Sequence, residues 1–135
     1  MPHYRRIGEA VHAAGKLLVF HSCGNMYKLM DDLLDDVHID AKHSFEDKII
    51  PVEEAYRRWG DRVAILGGVG MDVLGRGTEA QVRARTRQIL EACAAKGTGY
   101  ALGTGNTPAN YIPAKNYLAM LDEGRRWNLE HFGAA

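Results

Sequence analysis

Excess charge of either sign is missing from this chain of 135 residues, in which 17 Lys and Arg balance 17 Asp and Glu. The balance excludes a general electrostatic pull toward nucleic acid or an anionic membrane surface. A small-molecule substrate becomes the default. Long apolar runs are also missing: no stretch approaches the roughly 18 residues that span a bilayer. The amino terminus, Met1-Pro2-His3-Tyr4-Arg5-Arg6, lacks the apolar core of a signal peptide. A cytoplasmic location is expected by elimination. Cysteine is scarce, with 2 in the chain, too few for a disulfide framework. Both are read as thiols. Cys93 lies in Ala92-Cys93-Ala94-Ala95, within a segment of good helix formers, and is expected to act as a small buried hydrophobe.

What is present is core material and regular punctuation. Hydrophobic residues make up 46% of the sequence, enough for one domain over residues 1–135. Short apolar runs at Leu17–His21, His38–His43, Val63–Gly67 and Tyr100–Gly103 read as strands, each closed by Gly or polar residues. Helices are expected between them. Pro2–Ala14 stops at Gly15, Met26–Leu34 has a helical apolar stripe, and Pro51 opens a helix running to about Trp59. Thr78-Glu79-Ala80-Gln81 fits a capping box and predicts a helix to Lys96, while Pro113 opens a last helix to about Trp127. A frayed tail is expected over 133–135. Asp31, Asp32, Asp35 and Asp36 read as a solvated helix face. This β-α alternation, with no hairpin signal, predicts an α/β fold with a parallel sheet and right-handed crossovers.

The polar and glycine-rich residues gather after the strands, as they do on the catalytic rim of a (β/α)8 barrel. The most informative of these segments is His21-Ser22-Cys23-Gly24-Asn25. Two positions apart on an extended segment, His21 and Cys23 face the same way and can approach one metal ion. Gly24 permits a sharp turn, and Asn25 can cap a helix starting at Met26. Two ligands do not complete a zinc sphere, so others must come from elsewhere. His43 and Glu46 follow the second strand and Asn106 the fourth, which makes them candidates for substrate contact at the same mouth. Asp72 is expected to cap a short helix, and Asn116 to be structural. Gly67-Gly68-Val69-Gly70 and Gly103-Thr104-Gly105 offer a phosphate-turn alternative, although neither matches a P-loop or a dinucleotide fingerprint.

Taken in order, the His21-to-Asn25 turn, Gly60-Asp61-Arg62-Val63-Ala64-Ile65-Leu66-Gly67-Gly68-Val69, Gly77-Thr78-Glu79 with Val82-Arg83, and Gly103-Thr104-Gly105-Asn106 leading to Pro113-Ala114-Lys115-Asn116-Tyr117 match a family pattern. From Lys16 to about Trp127 the chain resembles the carboxy-terminal half of the uroporphyrinogen decarboxylase (URO-D) superfamily. That resemblance implies four β-α units forming half of a (β/α)8 TIM barrel, completed by a homodimeric partner or by an amino-terminal half. The superfamily includes decarboxylases and zinc-dependent corrinoid methyltransferases.

The His-x-Cys turn is similar to the methyltransferase branch, in which it supplies two zinc ligands. The resemblance thus implies that His21 and Cys23 bind zinc, with methyl transfer between a corrinoid partner protein and a thiol or another acceptor. The branch's later cysteine is replaced here by Gly103-Thr104-Gly105-Asn106, and Cys93 is a helix away. Catalysis is therefore not expected of one isolated copy, and no catalytic residue is assigned. Two alternatives follow: a carboxy-lyase acting on porphyrinogens without metal or cofactor, and a non-catalytic half barrel serving as an assembly module.

Overall fold

A computed structural model describes residues 1–95 and 99–133. Helix α1, Pro2–Ala13, is followed by Gly15, whose φ of +66° turns the chain toward strand β1, Val19–His21. The helix expected at Met26–Leu34 is divided into a 3-10 turn, Tyr27–Leu29, and α2, Met30–Asp35. Asn25 departs from its expected capping role: Met26 holds the N-cap of the 3-10 turn, and Asn25 Oδ1 accepts the Tyr27 amide at 3.1 Å as an Asx turn ahead of it. Strand β2, Ala41–His43, begins later than the apolar run suggested. His38, with φ of +57°, leaves the extended region, and the Asp40 carboxylate accepts the Leu18 amide at 2.7 Å.

Helix α3, Val52–Trp59, follows Pro51, and strand β3, Ala64–Val69, runs directly into α4, Met71–Arg76. Helix α5, Glu79–Cys93, carries the expected capping box, in which Thr78 and Gln81 satisfy each other's backbone amides. The Lys96 end of the expected helix lies outside the described residues, as do positions 134–135 of the expected frayed tail. Strand β4, Tyr100–Thr104, leads to α6, Ala114–Phe132. That last helix continues past Trp127 because Trp127 is itself part of its buried stripe, which runs through Asn116, Ala119, Met120, Glu123 and Gly124. Its C-terminal stop is Gly133, with φ of +77°.

The four strands form one parallel sheet in the order β1-β2-β3-β4. Consecutive order with intervening helices gives an arc of a barrel, α/β in class and half of a (β/α)8 closure. Phe20, Lys42 and Ile65 share one rung, and His21, His43 and Leu66 the next. Since neighbours in register project to the same face, His21 and His43 stand side by side on the concave surface. The core lies between the sheet and its helices, where Ile65, Leu74, Val82, Ile89 and Trp127 are fully buried.

Several non-catalytic expectations resolve against specific partners. Asn116 donates from Nδ2 to the carbonyls of Leu74 and Gly77, at 2.8 and 2.9 Å. It thereby satisfies acceptors at the end of α4, a structural role as expected. Cys93 is buried, and burial pushes its thiol up to about 12. The acidic residues of α2 face solvent and make surface pairs, Asp35 with Arg62 at 2.5 Å and Asp36 with Arg5 at 2.8 Å. Asp72 departs from its expected capping role. Gly70 occupies the N-cap of α4, and Asp72 lies within the first turn, pairing with Lys48 at 3.1 Å.

Candidate functional site

The site assembles at the carboxy-terminal ends of β1, β2 and β4. His21 is the last residue of β1, and Gly24, at φ of +85°, turns the chain immediately after Cys23. The Cys23 sulfur lies 3.7 Å from His21 Nε2. Asn106, delivered by the turn after β4, places its Nδ2 3.2 Å from the same sulfur. Ser44 Oγ donates to it at 3.8 Å. Two donors and one imidazole thus surround an exposed thiol, an environment suited to metal binding or nucleophilic chemistry.

The histidine pair has a defined hydrogen-bond order. His43 Nε2 lies 3.1 Å from the Thr104 carbonyl, which only accepts, so that nitrogen carries a hydrogen. Burial lowers the His43 pKa, keeping the ring neutral near pH 7 and leaving Nδ1 as an acceptor. His21 Nδ1, 2.7 Å away, must then donate. Its Nε2 is left with a free lone pair directed at Cys23. The hydrogens run in one direction from Cys23 Sγ through His21 and His43 to the backbone of β4. Gly67 makes room for this arrangement. With φ of +99°, a β-carbon there would meet the Thr104 oxygen at 2.6 Å and the His43 ring at 3.0 Å.

Lys42 occupies the rung before His43 and turns to the opposite face, where it is 1% exposed. Its ammonium reaches the rim and donates to the carbonyls of Ser22 at 3.0 Å, His43 at 2.5 Å and Ser44 at 3.1 Å. The Phe45 ring lies 5.0 Å away. Burial brings its pKa down to about 8. Ser44 holds a φ of +80°, a conformation uncommon for a residue with a β-carbon.

Of the residues singled out in the sequence, His21, Cys23, His43 and Asn106 converge. Glu46 stays at the rim, lining a cavity of about 270 Å³ with Phe45, Asp47, Met71 and Asn106, and does not bond to the cluster. Lys42 and Ser44 were not singled out. Among the described residues, no three His, Cys, Asp or Glu side chains form a metal-binding group.

A family model described as Uroporphyrinogen decarboxylase (URO-D) matches residues 1–127. Among solved structures, a methyltransferase from Methanosarcina mazei is similar at a TM-score of 0.73 and 22% identity, over 92% of this chain and 35% of that one. The chain thus spans about a third of that structure's length. No curated protein matches it.

Proposed function

The chain belongs to the uroporphyrinogen decarboxylase (URO-D) family, and on that premise we propose that it is the ligand-bearing half of a zinc-dependent methyltransferase barrel. The observation that carries this reading is the 3.7 Å between His21 Nε2 and Cys23 Sγ. Zinc bonded to sulfur at about 2.3 Å and to nitrogen at about 2.0 Å, with a tetrahedral angle between them, spaces those donors about 3.5 Å apart. His21 and Cys23 therefore fit as two corners of one coordination sphere. The remaining corners fall to the substrate and to the half of the barrel that this chain does not supply.

When bound, zinc lowers the pKa of a coordinated thiol, so that the acceptor can take a methyl group from a methyl-corrinoid carried by a partner protein. The protein's part is orientation. His43 holds His21 in the tautomer that leaves Nε2 free, the role an outer hydrogen-bond partner performs for a metal-binding imidazole. Asn106 and Ser44 hold the Cys23 sulfur in place. The cavity lined by Glu46 and by Asn106, the donor to the Cys23 sulfur, offers space for the acceptor.

Completion of the barrel by a second chain or a missing half is supported by unpaired apolar surface at both sheet edges. Leu17 just before β1 and Val19 within it are 76% and 54% exposed, and Leu118 and Leu129 on α6 are 60% and 48% exposed. Tetrapyrrole decarboxylation receives less support because it needs free cationic side chains for acidic substituents. Lys48 at the rim is paired with Asp72, and the Lys42 ammonium is committed to backbone carbonyls.

The test is zinc content together with absolute mass, by elemental analysis and light scattering, on protein purified without a metal-binding tag. Stoichiometric zinc in a dimer, disappearing in Cys23→Ser, is the expected result. Metal-free wild-type protein after zinc reconstitution overturns the reading, and porphyrinogen binding then separates the decarboxylase from a non-catalytic assembly module.

A further inference from the structure

Lys42 is the most unusual charged residue in the chain. It is almost completely buried, and among the described residues no carboxylate pairs with it. An unpaired buried ammonium is costly unless all its donors are satisfied. Lys42 meets that requirement with three backbone carbonyls, matching its three N–H donors one for one. The origin of those carbonyls is what makes the arrangement informative. Ser22 lies between His21 and Cys23, whereas His43 and Ser44 belong to the turn carrying the second imidazole. The same ammonium therefore grips both turns from beneath, on the face opposite the site.

We infer that Lys42 is a positioning residue that fixes the His21–Cys23 turn against the His43–Ser44 turn and thereby enforces the 2.7 Å contact between the two imidazoles. The inference rests on the site reading above for its use of zinc, but not for its geometry. β1 and β2 are three residues each, so their ladder ends at the His21–His43 rung. Beyond that rung no sheet pairing holds the turns together. Beside the long Ser44–Cys23 contact, Lys42 supplies the connection to backbone there, and Ser44 is held at its positive φ with its carbonyl aimed at the ammonium. Without that clamp Ser22 and Ser44 are free to separate, His43 no longer dictates the hydrogen on His21, and Cys23 loses the Ser44 donor.

The test compares wild type, Lys42→Met and Val82→Ala. Methionine keeps much of the aliphatic stem while removing every donor. Val82, fully buried in α5 with its side chain in none of the site's hydrogen bonds, provides a destabilised control. Nitrogen-15 NMR of the histidine rings in metal-free protein, at a pH where both rings are neutral and a temperature where all three proteins are folded, reads the tautomers directly. Wild type and Val82→Ala should show hydrogen on Nδ1 of His21 and on Nε2 of His43, whereas Lys42→Met should lose the His21 preference. Zinc affinity by competition with a chelating dye should fall about 10-fold to 100-fold in Lys42→Met alone, the range for removal of an outer-shell support.

A Lys42→Met protein with wild-type tautomers overturns the inference, whether or not zinc binds. Equal loss in Lys42→Met and Val82→Ala also overturns it, because the effect would then follow general stability. Selective tautomer loss in Lys42→Met, with no zinc bound by any of the three proteins, sustains the positioning role and removes the zinc reading.

Discussion

Strands β1 and β2 are three residues long, whereas β3 and β4 have six and five. The short pair carries His21, Lys42 and His43, while the longer pair contributes a carbonyl from Thr104, room at Gly67 and, from the following turn, Asn106. Behind β3 and β4, α5 and α6 are joined by ion pairs such as Arg83 to Asp122 at 2.6 Å and Arg87 to Glu123 at 2.7 Å. The charges of that side brace helices, whereas the charge of the short-strand side braces loops. The contrast explains why the polar cluster can be exposed without weakening the sheet.

The contrast can be tested first where stability should dominate. Ile89→Ala in α5 removes a fully buried side chain and should cost about 2–5 kcal/mol in urea unfolding. Zinc affinity measured in the folded range should not change. Gly67→Ala crosses the divide, because its new β-carbon needs a positive φ and presses on Thr104 and His43. About 1–3 kcal/mol should be lost from the backbone conformation alone, together with the His21 tautomer, read by unfolding and ring NMR. His43→Phe keeps a ring of similar breadth but removes both hydrogen bonds. Zinc affinity should drop about 10-fold to 100-fold, with a much smaller change in the unfolding midpoint.

The smallest effect belongs to the start of β2. The hydrogen bond from His12, followed by that from the Leu18 amide, holds the Asp40 carboxyl below its usual range. A carboxyl with a depressed folded pKa stabilises the protein above its unfolded value, and that contribution disappears as pH falls through the folded value. Asp40→Asn should therefore flatten the acid limb of the urea-midpoint profile below about pH 4, by less than about 1 kcal/mol at this partly exposed pair. An unchanged acid limb would remove Asp40 from the fastening of α1 to the sheet.

Much of the fold was legible because apolar runs and glycine or proline stops are local signals. The four strands, the Thr78 capping box and the helix after Pro113 needed only neighbouring residues. Boundaries moved where a side chain from elsewhere intervened, as at His38 and Asp40. The short helix α4 was expected beside Asp72 but without bounds, because Met71–Arg76 is too brief to display a period and contains Gly75. At the site, His21 and Cys23 were legible as a spaced pair, and Asn106 and His43 as rim residues. The direct pairing of His43 with His21 depends on strand register, which one sequence does not print. Lys42 was hidden more completely: a lysine in a short strand ordinarily suggests solvent, and its three acceptors exist only once both turns are folded.

The shared rung of His21 and His43 has a consequence for engineering. Since the imidazole pair is seated on strand backbone and, as inferred above, clamped by Lys42, its alignment should be portable: segments bordering the neighbouring cavity, such as Glu46–Lys48 or Met71–Val73, can be exchanged to vary what that cavity admits. The histidine pair and Lys42 can be retained as a cassette. Insertions within β1 or β2 are the changes to avoid, because a shift of one residue would send either histidine to the other side of the sheet.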